Sequence, residues 1–283
     1  MRRYVLTITC PDRVGLVAAV TSYLASRGGW VTEAAQHADP ETGRFFQRIE
    51  VLADSLDCDA DALREGFEPL VGEFDLDLRL SDTDHRKRLV LLASKEDHCL
   101  VDILHRSERG ELACEIPLVI ANHPDLAPVA ERYGVPFVLV SFTPEGREAA
   151  MSEITARIAE VGGEVVVLAR YMQILSPELC EQYPDRILNI HHSALPSFAG
   201  PRPYHQAFER GVKLIGATCH YVTAELDGGP IIAQDTAPVG HAESVEDLIR
   251  IGRDIERTVL ARGLRWHLED RVLVNGSRTV VFA

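Results

Sequence analysis

A chain of 283 residues, with 46% hydrophobic and 25% charged side chains, has the composition of a soluble globular protein and the length of one large or two ordinary domains. Its net charge of −14 repels phosphate backbones, and the nearest candidate basic patch, HRKR at residues 85–88, directly follows the acidic SDTD, so nucleic acid is not an expected partner. No run reaches the roughly 18 apolar residues of a membrane span, and the N-terminal MRRYVLTITCPDR meets Asp12 too early for a secretory leader. The six cysteines are scattered without C-x-x-C spacing, which favours reduced thiols in a cytoplasmic protein over a disulfide framework or a zinc site.

In chain order, YVLTITC alternates as a strand, and VGLVAAVTSYLAS places Val17, Val20 and Leu24 at helical spacing up to the stop at Gly28-Gly29. WVTEAAQHAD and RFFQRIEVLA flank a turn with Pro40 and Gly43, a hairpin pattern. ADALREGFEPLVGEF puts Leu63, Phe67, Leu70, Val71 and Phe74 on one helical face, and DLDLRL closes the segment as an edge strand. The order βαββαβ is that of the ferredoxin-like class.

After SDTDHRKR the pattern changes. LVLLAS, EIPLVIAN, FVLVSF, EVVVLA and RILNI are near-continuous apolar runs separated by helical or turn segments, as expected of parallel strands buried on both faces. A doubly wound, mostly parallel α/β sheet follows, and RVLVNGSRTVVF reads as a terminal hairpin around Asn275-Gly276. The chain is thus expected to divide into residues 1–84 and 85–283.

In such sheets ligands bind outside the carboxyl ends of the strands. NIHHSALP, directly after the RILNI run, lies at such an end, and its adjacent histidines can be read as metal ligands, as catalysts or as loop residues. Successive side chains of extended backbone point to opposite sides, and no H-E-x-x-H accompanies the pair, so the expectation is no metal. A catalytic histidine needs a carboxylate. Asp227, in the loop TAELDGG beside Gly228 and Gly229, is the candidate, although a turn-forming aspartate has the same appearance. These residues alone yield a polar cluster of Asn189, His191 and Asp227 and no substrate.

The motif N-I-H-x-S-x-L-P-S-F from Asn189 to Phe198, followed by H-x-V-x-x-x-x-D-x-G from His220 to Gly229, resembles the 10-formyltetrahydrofolate-dependent formyltransferase family over about residues 86–283. The resemblance implies Asn189, His191 and Asp227 as catalytic, and Met172, Gln173 and Leu175 with Thr223, Ala224, Glu225 and Leu226 as the folate-binding residues. His192, which stands where transformylase relatives often carry proline, would tune the acceptor site or bond within its loop. His220 would support Asp227. His98, with Lys95 and Cys99, lies at a strand end and would either shape the acceptor pocket or take a core or solvated role. Tyr204, His205 and Gln206 would start a helix and build the rim.

The first segment is similar to an ACT domain, a regulatory ligand-binding fold, through Asp12-Arg13-Val14-Gly15-Leu16. Asp12 is a natural helix N-cap there, and Asp12, Arg13 and Gly15 are the implied effector site. An ACT domain ahead of this catalytic type is the arrangement of formyltetrahydrofolate deformylases. It implies a homo-oligomer, control by glycine or methionine, and a folate that is substrate, with no cofactor. The turn Ala93–Cys99 lacks the glycines of a phosphate cradle, and the acidic surface does not suit RNA, so water is the expected acceptor. The implied reaction releases formate for purine synthesis and balances one-carbon pools. Transfer to a small amine such as glycinamide ribonucleotide, a catalytically silent sensor and a metal-dependent hydrolase are the alternatives.

Overall fold

Alternation in RYVLTITCP makes β1 (Arg3–Pro11), with Leu6, Ile8 and Cys10 fully buried on one face. There follow α1 (Leu16–Ser26), β2 (Trp30–Asp39), β3 (Arg44–Leu52), α2 (Ala60–Gly66), α3 (Glu68–Phe74) and β4 (Asp77–Asp82). The computed structural model describes residues 1–143, 146–196 and 203–283. These first strands form an antiparallel sheet in the order β2-β3-β1-β4, consistent with an ACT-like fold. Phe45, Ile49 and Val51 of β3 pack with Leu16, Val20, Leu24, Leu63 and Phe67 from the helices.

Two expectations need correction here. The single helix expected over residues 60–74 is broken at Phe67, because Pro69 lacks the N–H that would continue it. Asp12 does not cap α1. The cap position is Gly15, at φ 93°, with no side-chain hydrogen bond, while the Asp12 N–H is taken by the Gly43 carbonyl at 2.9 Å. Arg13 donates to the Glu73 carbonyl at 3.1 Å.

The second unit starts at β5 (Lys87–Ala93) and continues with α4 (His98–Glu108), β6 (Cys114–Ala121), α5 (Ala127–Arg132), β7 (Phe137–Leu139), α6 (Arg147–Glu160), β8 (Val165–Ala169), α7 (Pro177–Gln182) and β9 (Ile187–His191). Then come α8 (Pro203–Arg210), β10 (Leu214–Tyr221), β11 (Ile231–Pro238) and the 24-residue α9 (Val245–Leu268). The seven-stranded sheet runs β11-β10-β9-β8-β5-β6-β7, parallel from β9 to β7, with β10 antiparallel to both its neighbours. The apolar runs are the central strands, buried on both faces. Val90, Leu92, Val166 and Leu168 pack against Ile154 and Ile158 of α6 and Leu179 of α7. Against β10, α9 lies so close that a Cβ on Gly263 would come within 2.6 Å of Cys219 Sγ.

The chain closes with β12 (Val272–Asn275) and β13 (Arg278–Val281), a hairpin as expected. Its grouping differs from the expected division at 84/85. The compact units are Met1–Arg86 with Glu269–Asn275 and Thr279–Ala283, and Lys87–Leu268 with Gly276–Arg278. Charge explains the return. Arg48 of β3, 2% exposed, binds Glu33 at 3.0 Å, Glu50 at 2.9 Å and the Glu269 carbonyl at 3.2 Å. Arg271 pairs with Glu33 at 2.9 Å, and Asn275 donates to Asp39 at 2.6 Å. A guanidinium buried in the sheet needs acceptors, and the returning chain supplies one of them.

Candidate active site

Asn189 and His191 close β9, the strand bordered by β8 and β10. His220 faces Asn189 across the antiparallel ladder. Asp227 belongs to the loop between β10 and β11, and that loop turns back because glycine stands at Gly229. A Cβ there would collide with the Tyr221 carbonyl. Asp227 itself is left-handed at φ 53°, a conformation that aspartate tolerates better than most residues. The turn aims its carboxylate at the end of β9.

His191 Nδ1 lies 3.3 Å from Asp227 Oδ1, and His220 Nε2 lies 3.8 Å from the same oxygen. His220 Nδ1 donates to the Tyr221 carbonyl at 2.8 Å, which leaves Nε2 bare to accept from Asn189 Nδ2 at 3.1 Å. The resemblance placed His220 in support of Asp227; its hydrogen bond goes to Asn189, whose second N–H remains for a ligand. On His191, the carboxylate beside Nδ1 favours the proton there, so a neutral ring presents a bare Nε2. That atom is buried without a hydrogen-bond partner among the described residues. Burial holds the His191 pKa below its usual value, with Asp227 pulling the other way. Burial lowers His220 as well, opposed by the Tyr221 carbonyl and Asp227. Both rings are therefore neutral near pH 7.

Asn189, His191, His192, His220 and Asp227 line one cavity of about 620 Å³, large enough for a bicyclic ring and its linker. All seven residues expected on the folate side line it too: Met172, Gln173, Leu175, Thr223, Ala224, Glu225 and Leu226. Met172 and Leu226 are 59% and 65% exposed and form an apolar rim, whereas Leu175 is buried beneath the cavity as part of the core. His192 also borders a second cavity of about 230 Å³ whose wall includes Tyr204.

His98 is not in the cavity wall. It opens α4, with Nε2 2.8 Å from Glu256. Tyr204, expected at the rim, is 7% exposed and also binds Glu256. Cys99 is buried, and desolvation with the Glu256 charge pushes its thiol well up, so it is no nucleophile. Asp12, Arg13 and Gly15 lie in the first unit, at the start of α1. Ser197 and Phe198 of the first motif fall outside the described residues.

Two residues of the site were not singled out from the sequence. Arg170, at φ 63° just after β8, lines the cavity and lies 3.3 Å from Glu256. Glu256 is 1% exposed on α9. Its readable signal is an acid on the buried stripe formed by Leu248, Gly252, Ile255, Val259 and Leu260. Arg170 had no such signal.

Residues 87–264 match the formyl transferase family model. A formyltetrahydrofolate deformylase from a Synechocystis species is 46% identical over 98% of both chains. The crystal structure of such a deformylase from Pseudomonas syringae superposes with a TM-score of 0.99 at 54% identity, covering 100% of this chain and 95% of that one. A glycinamide ribonucleotide transformylase from Symbiobacterium toebii reaches a TM-score of 0.66 at 33% identity over 70% of this chain and 95% of its own. The match beyond the shared catalytic unit, along nearly the whole length, decides between them: the chain belongs to the formyltetrahydrofolate deformylase family.

Proposed function

We propose that the chain hydrolyses 10-formyltetrahydrofolate to tetrahydrofolate and formate. The observation that carries the reading is the convergence of Asn189, His191 and Asp227 at the inner end of an apolar-rimmed cavity, in a chain whose full-length relatives are named deformylases. The pterin would lie against the apolar rim, with the formyl group at β9.

In this reading the ionised Asp227 and neutral His191 act as one base. Water attacks the formyl carbon, its O–H bond breaking as its oxygen bonds to carbon. The proton passes to the dyad, and Asp227 stabilises the imidazolium that results. Negative charge grows on the formyl oxygen, which accepts from Asn189 Nδ2 and from His191 Nε2–H once that ring is protonated. Donors placed in this way are worth roughly 100- to 1000-fold in rate. Collapse breaks the N10–carbon bond, the imidazolium proton goes to N10, and the products are tetrahydrofolate and formic acid, which releases its remaining proton to solvent as formate. His220, kept neutral, holds the Asn189 amide in its donor orientation.

We also infer that the first unit senses an amino acid, with glycine and methionine as first candidates, that the protein works as a homo-oligomer in the cytoplasm, and that the formate serves purine synthesis. The test of the main reading is formate release from 10-formyltetrahydrofolate with no amine present. Turnover supports hydrolysis. A strict requirement for an added amine shows a transferase instead.

A further inference from the structure

A carboxylate without access to solvent stands beside the reaction cavity and has no part in the steps above. Glu256 Oε1 accepts the Tyr204 hydroxyl at 2.5 Å, while Oε2 lies 2.8 Å from His98 Nε2 and 3.3 Å from Arg170 Nε. One buried anion thus joins α9, α8, the start of α4 and the turn after β8. The packing is built for the contact. A Cβ at Gly252, one turn before Glu256, would collide with the Tyr204 phenol, so glycine there is what lets the hydroxyl reach the carboxylate. Burial opposes the charge on Glu256, yet hydrogen bonds from His98 and Tyr204 and the nearby Arg170 hold its carboxyl below the usual range.

The cluster reaches the reaction cavity through Arg170, while Glu256, His98 and Tyr204 stand behind its wall. Arg170 and His192 both line the reaction cavity. The His192 ring centre lies 5.0 Å from that of His191 and 6.3 Å from that of Tyr204. A buried carboxylate next to a formyl group is the kind of group that would hold an attacking amine through its N–H donors. Here its oxygens already take hydrogen bonds from Tyr204 and His98 and an ion-pair contact from Arg170. Leaving a buried carboxylate unmet is costly, so these donors are not readily given up to an incoming ligand.

A cation is the other chemistry to weigh, since His98, Cys99 and Glu256 bring ligand-type atoms within 4.8 Å of one another. A metal there would have to displace the Tyr204 and His98 hydrogen bonds and stand beside a guanidinium. It would also need the Cys99 thiolate, which burial and Glu256 disfavour. The positive charge of this cluster is already present as Arg170.

We propose that His98, Tyr204 and Arg170 act as positioning residues that satisfy Glu256 from within, closing the cavity to amine acceptors and leaving water as the nucleophile. This rests on the hydrolase reading and deepens it. Removing one donor frees an oxygen of Glu256 to hold an amine. In the diverted reaction the amine nitrogen bonds to the formyl carbon, the N10–carbon bond breaks, and one amine proton ends on N10.

Hydroxylamine is the probe, with the full-length wild type, Tyr204→Phe and His98→Ala compared for formohydroxamate and formate produced. Tyr204→Phe keeps the ring and removes only the hydroxyl. The expected result is a hydroxamate-to-formate ratio about tenfold or more above wild type in each folded variant, the effect of one hydrogen bond to a charged group. A structural role alone would lower both products together. An unchanged ratio in both variants, with wild-type hydrolysis intact, overturns the proposal. So does bound metal in stoichiometric amount whose removal abolishes activity. Absence of formate release from wild type, by contrast, removes the hydrolase reading and this inference with it.

Discussion

His191 Nδ1 and Asp227 Oδ1 stand 3.3 Å apart, one at the end of β9 and the other in the loop after β10. The contact fixes more than proximity. It places the imidazole proton on Nδ1, leaves Nε2 bare toward the ligand, and makes donation from Nε2 dependent on a proton taken up during the reaction. In the proposed reaction, one dyad therefore both removes a proton from water and delivers it to the leaving nitrogen.

Asp227→Asn keeps the shape of the loop and removes the charge. Formate release should fall roughly 100- to 10,000-fold, the span of general acid–base contributions. Folate affinity, measured by fluorescence titration, should change little, because the apolar rim is untouched. Near-normal turnover in this variant would show that the carboxylate is not part of the base.

The pH profile follows from the direction of the His191 shift. Burial lowers its pKa from 6.5, and Asp227 partly restores it. The neutral ring is the working form, so kcat should be flat near neutrality and fall on acidification through a midpoint below 6.5. In Asp227→Asn the residual rate should show its midpoint displaced to still lower pH, since the restoring charge is gone. A rate that rises on acidification would contradict a neutral His191.

Stability should share this direction. Burial, Arg170 and His191 depress the His192 pKa from 6.5 to about 4. The unfolded chain therefore binds a proton that the folded one refuses between these values, and stability is lost as pH falls from 6.5 toward 4. Thermal unfolding should show a lower Tm across this window, and His192→Gln should reduce the slope. An unchanged slope would mean that folding does not depress the His192 pKa.

The apolar rim makes a separate prediction. Leu226→Ala and Met172→Ala remove side chains that a bound pterin would cover. Loss of about 1 to 2 kcal/mol of burial should raise KM roughly 5- to 30-fold with kcat little changed. Steady-state kinetics distinguishes this from damage to the dyad, which lowers kcat.

In the first unit, Arg48→Met would remove a guanidinium that is 2% exposed and leave Glu50 with Arg3 as its remaining cation. The cost should be about 3 kcal/mol, the lower end for breaking a buried pair. Chemical denaturation measures it, and an unchanged midpoint would show that the pair contributes nothing net.

The central sheet was legible because its strands are buried on both faces, and such burial leaves near-continuous apolar runs such as VLLA and VVVLA. Asn189 and His191 were legible as a motif at a strand end, and Asp227 through its glycines. What escaped depends on contacts distant in sequence. Tyr204 lies inside because Gly252, on another helix, vacates the space it fills. Glu256 shows only as a charge on an apolar stripe. The return of the terminal hairpin to the first unit depends on Arg48, whose burial no local pattern displays. Asp12 looked like a cap by residue type, but the chain enters α1 through Gly15 in the left-handed region, which moves the cap position past it.

The central claim is that water is the formyl acceptor. Turnover of 10-formyltetrahydrofolate in water labelled with heavy oxygen, with no amine present, tests it most directly, with the formate examined by mass spectrometry. The account predicts formate carrying one solvent oxygen per turnover, lost in parallel with activity in Asp227→Asn. Formate without solvent oxygen, or no turnover until an amine is supplied, would contradict it.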